Sequence, residues 1–269
     1  MRQFADRHPY WFVAILEIVV VFVYLVAGAA ARFAHLPSLA LYGIAQVGLC
    51  VVAVALLSVL GWWRVVGFRK PDDWRDLRYF VVPLLPLAIN LVPGVEVTSL
   101  GHLGVVLALT LMVGIAEEVI FRGLMLNALK ARGLWRAAII TALLFGLTHA
   151  MNVLAGANAF DAVAQIFYAT AIGFAYAALV LKKGILWPLV IAHFMIDLAV
   201  FVQRPGFSFG PGWTVAITLA TAAIFTAYGV FIMLRVPEGS NGDVVLPGES
   251  HSMDAAVEPS ASLTVSLTD

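Results

Sequence analysis

From Trp11 to Ala31 the chain runs for about 20 residues with one charged side chain, Glu17, and no interruption of its apolar character. A helix of that length, rising about 1.5 Å per residue, covers the roughly 30 Å hydrocarbon layer of a bilayer. The run exceeds the roughly 7–15 apolar residues of a cleavable signal, and further apolar runs follow it. Eight spans are predicted, at about 10–31, 38–60, 79–93, 98–130, 136–151, 161–181, 185–203 and 212–234. The third is short and carries Pro83 and Pro86. The fourth, about 48 Å long as a straight helix, must tilt or leave the bilayer at one end. Composition agrees: 62% of residues are apolar and 12% charged, against about 45–50% and 25% in soluble domains. That balance points away from a soluble enzyme, a nucleic-acid binder or a disordered scaffold. The expected fold class is all-α, a polytopic transmembrane helical bundle.

The basic residues test this map, because Lys and Arg gather on cytoplasmic loops. Taken alternately, the connections hold thirteen basic residues on one side (among them Arg2, Arg7, Arg64, Arg69, Lys130, Arg132, Lys182, Lys183 and Arg235) and two, Arg32 and Arg204, on the other. A wrong helix count scrambles such an alternation. The expectation is a multi-pass protein of the cell membrane with both termini cytoplasmic. The domain reading is 1–78, two helices and a basic loop; 79–236, the main bundle; and 237–269, a disordered tail with six acids and no Lys or Arg. The single cysteine, Cys50, excludes an internal disulfide.

Against this apolar background a few side chains are costly. An ionisable group at mid-membrane costs roughly 2.5–3.5 kcal/mol or more. Yet the fourth span contains Glu117, Glu118 and Arg122 (GIAEEVIFRG), the fifth His149 (FGLTHA), and the seventh His193 and Asp197 (IAHFMID). Counted from the nearest basic loop at 1.5 Å per residue, Glu117 and His149 lie at about 19 Å, Asp197 at about 21 Å and His193 at about 15 Å. Three separate helices thus bring six polar groups to one depth. Residues four apart share a helix face, which pairs Glu118 with Arg122 and His193 with Asp197. Glu117, about 100° around its helix, must look to His149 or His193 across the bundle. A carboxylate beside an imidazole in a water-poor cavity can act as a general base on water. Glu17 reads as an interfacial structural residue. Asn90, Asn127, Asn152 and Gln165 either line the cavity or bond across helices.

Glu117-Glu118-x-x-x-Arg122, Phe145-x-x-x-His149 and His193-x-x-x-Asp197 together resemble the three-motif signature of the CPBP family. This family comprises the type II CAAX prenyl endopeptidases and the abortive-infection-like proteins. The resemblance covers roughly residues 100–200. It implies an intramembrane endopeptidase in which Glu117 activates water with His149 as its partner. It also implies that Glu118 and Arg122 support the site, and that His193 and position 197 polarise the carbonyl or hold the centre. The implied partners are the bilayer and a membrane-protein or lipidated-peptide substrate; nucleic acid is not expected. The family is named for metalloproteases, and a metal-free route has also been argued. The chain lacks HExxH, but His149, His193 and Asp197 could supply three zinc ligands and leave a water position. Both routes stay open on the sequence. An ionised Asp197 cannot donate to an oxyanion, so it suits a ligand or an orienter of His193. Two rival readings are a proton-coupled carrier and a non-catalytic immunity or adaptor protein.

Overall fold

The computed structural model describes residues 1–207 and 209–236. The tail from 237, for which the sequence predicts disorder, lies outside the described residues. Among the described residues the regular structure is helical, apart from one isolated bridge between Val95 and Gln203. A short α1 (Arg2–Arg7) leads into α2 (Pro9–Phe33) and α3 (Ser38–Leu60). α4 (Leu85–Asn90) precedes α5 (Leu100–Glu117), which continues without a break through a π-helical segment (Glu118–Met125) into α6 (Leu126–Leu129). Then come α7 (Leu134–Thr148), α8 (Ala159–Lys183), α9 (Trp187–Phe201) and α10 (Pro211–Met233). Among the described residues six helical stretches are long and apolar enough to cross a membrane, and Trp187–Phe201 is a shorter apolar helix.

Local sequence explains the ends. Ser99 and Asn158 accept hydrogen bonds from backbone N–H groups in the first turns of α5 and α8. Prolines open α2, α9 and α10, where a missing N–H costs nothing.

The expected third span is the exception. Residues 74–90 form two 3₁₀ pieces, Trp74–Phe80 and Val82–Leu84, followed by the six-residue α4. Pro83 and Pro86 explain the break, since each removes a backbone donor and crowds the preceding turn. The segment nevertheless runs from one end of the bundle to the other. At its start, the preceding loop joins the turn after α8: Arg69 donates to the Gly184 carbonyl, and Lys183 pairs with Asp76 at 2.6 Å. The Arg69 guanidinium, bonded to Asp72, holds that exposed carboxyl below its ordinary range. At its far end Arg204 donates its backbone N–H to the Gly94 carbonyl, and Glu96 to that of Val202. Irregular backbone at membrane depth is tolerated where it lines a cavity, and Pro86, Ile89 and Asn90 do line one.

Further contacts gather the basic connections at one end. Arg132 donates to the Arg7 carbonyl and Lys182 to that of Arg235. The alternation read in the sequence is therefore a spatial segregation. Outside, the bundle presents large apolar side chains such as Phe22, Leu111, Phe167 and Leu219. Inside, it buries Glu118, Arg122, Gln46 and His193. This arrangement, apolar outward and charged inward, suits a lipid surround, and the chain is a multi-pass membrane protein. At the centre α8 packs between α7 and α10 through small residues, including Ala171, Gly173, Ala175 and Ala178. Such residues let helices approach closely where lipid supplies no hydrophobic drive.

Candidate active site

Glu117 ends α5 and Glu118 opens the π-helical segment. π turns, with i→i+5 hydrogen bonds, are rare and often occur at functional sites. Both carboxyls are buried, Glu117 to 8% exposure and Glu118 to 0%. One oxygen of Glu118, Oε1, accepts from Arg122 Nη1 at 3.1 Å and from His193 Nδ1 at 2.8 Å. The predicted Glu118–Arg122 pair is present, and the same carboxylate also reaches across to α9. A carboxylate only accepts, so His193 Nδ1 is the donor. Its other nitrogen, Nε2, lies 3.8 Å from Glu117 Oε2 and 3.5 Å from Asp197 Oδ2. Of the two imidazoles open to Glu117 on the sequence, His193 is thus the one the structure sets beside it.

The approach of α5 to α9 depends on Gly114, one turn before Glu117. A Cβ there would lie 2.8 Å from the Val190 carbonyl oxygen and 3.2 Å from the Phe194 nitrogen. Only a residue without a side chain allows this spacing, and Val190 and Phe194 flank His193.

Phe145 links the remaining groups. The Arg122 guanidinium sits 3.8 Å from the centre of its ring, a cation–π contact that offsets part of the cost of a 1%-exposed Arg. The ring also meets the His149 imidazole at 4.7 Å and that of His193 at 6.1 Å, both edge-on. His149 follows the last residue of α7, and its Nδ1 lies 2.7 Å from the Phe145 carbonyl oxygen. That oxygen only accepts, so Nδ1 carries the hydrogen and Nε2 is left with a lone pair.

Glu117, His149, His193 and Asp197 all line one cavity of about 480 Å³. Glu118 and Arg122 stand behind them. Asn90, Asn152 and Gln165 line the cavity as well, and Asn152 donates to Gln165 at 2.8 Å. Asn127 instead donates to the Gly123 carbonyl of its own helix. Glu17 accepts from Thr148, the neighbour of His149, at 2.8 Å. Two residues escaped the sequence reading. Tyr24 donates to Glu117 Oε1 at 3.2 Å, and Gln46 donates to the Tyr24 oxygen at 2.8 Å. Gln46 is the only amide in the apolar run 38–60, which is the signal that could have drawn attention to it.

Residues 99–199 match the family described as type II CAAX prenyl endopeptidase Rce1-like. Over that stretch, 101 of the 269 residues, the chain is similar to an Rce1-like domain. No curated protein and no solved structure matches the chain. The Rce1-like domain contains α5 to α8 and α9 as far as Ala199, and with them Glu117, Glu118, Arg122, His149, His193 and Asp197. At the level of the family this is a CAAX-protease-like peptidase domain within a membrane bundle. Tyr24 and Gln46 lie before it, on α2 and α3.

Among the described residues no three His, Cys, Asp or Glu side chains converge to hold a metal ion. The trio His149, His193 and Asp197 does not fit a three-ligand zinc site in this arrangement, and no step below runs through a metal.

Proposed function

We propose that the chain is an intramembrane endopeptidase that hydrolyses a peptide bond with water activated by Glu117. The observation that carries this reading is the division of labour in one carboxylate. Glu117 Oε1 is held by Tyr24, while Oε2 faces His193 Nε2 across a gap too long for a hydrogen bond, inside the cavity. Water admitted there meets a buried base whose orientation is fixed on its other side.

In this mechanism Oε2 takes a proton from water as the water oxygen bonds to the carbonyl carbon. The electron pair of the C=O bond moves onto oxygen, which receives a hydrogen bond from Nε2–H of His193 in its imidazolium form, while the lone pair on His149 Nε2 accepts from the attacking water. Collapse restores the C=O bond and breaks the C–N bond. The proton on Glu117 passes to the departing nitrogen, giving one acid and one amine. Glu118, anchored by Arg122, holds Nδ1 of His193 so that Nε2 faces the reacting atoms. Asp197 restrains the same imidazole from the following turn of α9.

The substrate class is a membrane-protein or lipidated-peptide segment, in keeping with the Rce1-like domain and the mixed apolar and polar walls of the cavity. In this reading both termini lie on the cytoplasmic side of the cell membrane, which the distribution of Lys and Arg among the loops supports. Glu117→Gln keeps an acceptor for Tyr24 but removes the base. It should abolish cleavage while expression and detergent stability stay near wild type. Retained cleavage by Glu117→Gln refutes the assignment.

A further inference from the structure

α2 and α3 lie outside the Rce1-like domain, yet they place two buried polar side chains against its central carboxylate. We propose that Gln46 and Tyr24 form a relay that positions Glu117, fixing which of its oxygens accepts the proton from water. This inference rests on the peptidase reading above and adds to it two positioning residues from helices that the family match does not include.

A phenol has one hydrogen. The Tyr24 oxygen accepts from Gln46 Nε2 at 2.8 Å, and its own O–H is directed to Glu117 Oε1 at 3.2 Å. The order of donation is therefore set from α3 through α2 to α5. With Oε1 occupied as an acceptor, the incoming proton falls to Oε2, the oxygen beside His193 Nε2. The relay also limits rotation of the carboxylate about its last torsion, which is otherwise broad.

The burial of Gln46 argues against simple packing. It is 1% exposed, and its Oε1 has no hydrogen-bond partner among the described residues. A buried unpaired amide oxygen is unfavourable, and a leucine at this position would avoid it. What the amide supplies is its one bond to Tyr24. The helices are close enough to hold this geometry: a Cβ on Gly48 of α3 would come within 3.0 Å of Val23 on α2. On its other side, Cys50 of α3 contacts the Met112 carbonyl of α5 at 3.5 Å.

The test uses the full chain in native membranes, with Glu117→Gln as reference. Precursors that accumulate in the Glu117→Gln strain are purified and offered to wild type, Tyr24→Phe, Gln46→Leu and the double variant in proteoliposomes. Tyr24→Phe should lower kcat by about 10- to 100-fold, the loss of one hydrogen bond to a charged group, with KM within about twofold of wild type. Gln46→Leu should lower kcat less, and should add nothing in the Tyr24→Phe background, because it acts through the phenol. Melting temperatures in detergent should stay near wild type for Gln46→Leu, which separates positioning from folding even where Tyr24→Phe is unstable. If Glu117→Gln is inactive while Tyr24→Phe keeps its kcat, or if the two losses multiply, the relay is refuted and the peptidase reading stands. If no precursor accumulates in the Glu117→Gln strain, the peptidase reading fails and the relay with it.

Discussion

Gly114→Ala is a change of one methyl group that acts on the site without touching any of its polar atoms. The added Cβ would stand 2.8 Å from the Val190 carbonyl oxygen, about 0.6 Å short of ordinary contact, and the obstacle is backbone of α9 rather than a flexible side chain. α9 must retreat by roughly that amount, taking His193 with it. The 2.8 Å bond from His193 Nδ1 to Glu118 Oε1 then stretches to about 3.4 Å, where a hydrogen bond has nearly lost its strength. Overpacking of this kind costs about 1–3 kcal/mol, and displacement of a reacting group by about 1 Å can cost about 100-fold in rate. For Gly114→Ala the expected outcome is a drop in melting temperature of several degrees in detergent and at least about a 10-fold slower turnover. The control lies on the same helix: a Cβ on Gly104 meets nothing within 4 Å, so Gly104→Ala should leave both quantities unchanged. The assays are thermal unfolding of the purified protein and the rate of precursor processing in membranes. A fully active, fully stable Gly114→Ala refutes the argument that the α5–α9 spacing sets His193. Equal damage from Gly104→Ala does so too, because it shows a general intolerance of added methyl groups.

Other expectations follow from the same geometry. Glu118→Ala strands the buried Arg122 and should cost about 3–5 kcal/mol; the double change Glu118→Leu with Arg122→Met should recover much of that stability in thermal denaturation but no activity, since His193 Nδ1 loses its anchor. An active double variant would show that Glu118 does not orient His193. Phe145→Leu removes the ring beneath Arg122 and beside both imidazoles; a loss of about 1–2 kcal/mol together with slower cleavage is expected, and unchanged cleavage would exclude the ring from organising the site. Metal analysis of the purified protein should find less than one equivalent of zinc, with cleavage unaffected by chelator. One tightly bound zinc whose removal abolishes cleavage would overturn the metal-free route.

The legible parts of this molecule are those in which one element carries the whole signal. Apolar length marks α2, α3, α8 and α10, and the basic residues alternate between the connections that join them. The i, i+4 rule finds Glu118–Arg122 and His193–Asp197 because both members of each pair ride on one helix. Glu, Arg, His and Asp stand out in a span because they are expensive there. What escaped depends on contacts between elements. The sequence leaves Glu117 with a choice of two imidazoles, and nothing in it says that Glu118 Oε1 has lone pairs enough for Arg122 and His193 together. The π turn at Glu118–Met125 has no distinct propensity, since its residues equally suit an α-helix. Tyr24 is inexpensive in a span, and Gln46, though the one amide in its run, has no partner on its own helix, so the role of the pair emerges only when α2 and α3 are seen against α5. The crossing at 74–90 is intermediate: its prolines announce a break, but its position beside the cavity follows only from packing.

The central claim is that a carboxylate buried among helices, Glu117, activates water for peptide hydrolysis inside the membrane. Proteomics of peptide termini, comparing membranes of the wild-type and Glu117→Gln strains at equal levels of the protein, tests it most directly. The account predicts a defined set of membrane or lipidated proteins whose processed ends vanish in the variant and whose uncleaved precursors accumulate. Identical sets of termini in the two strains would contradict it.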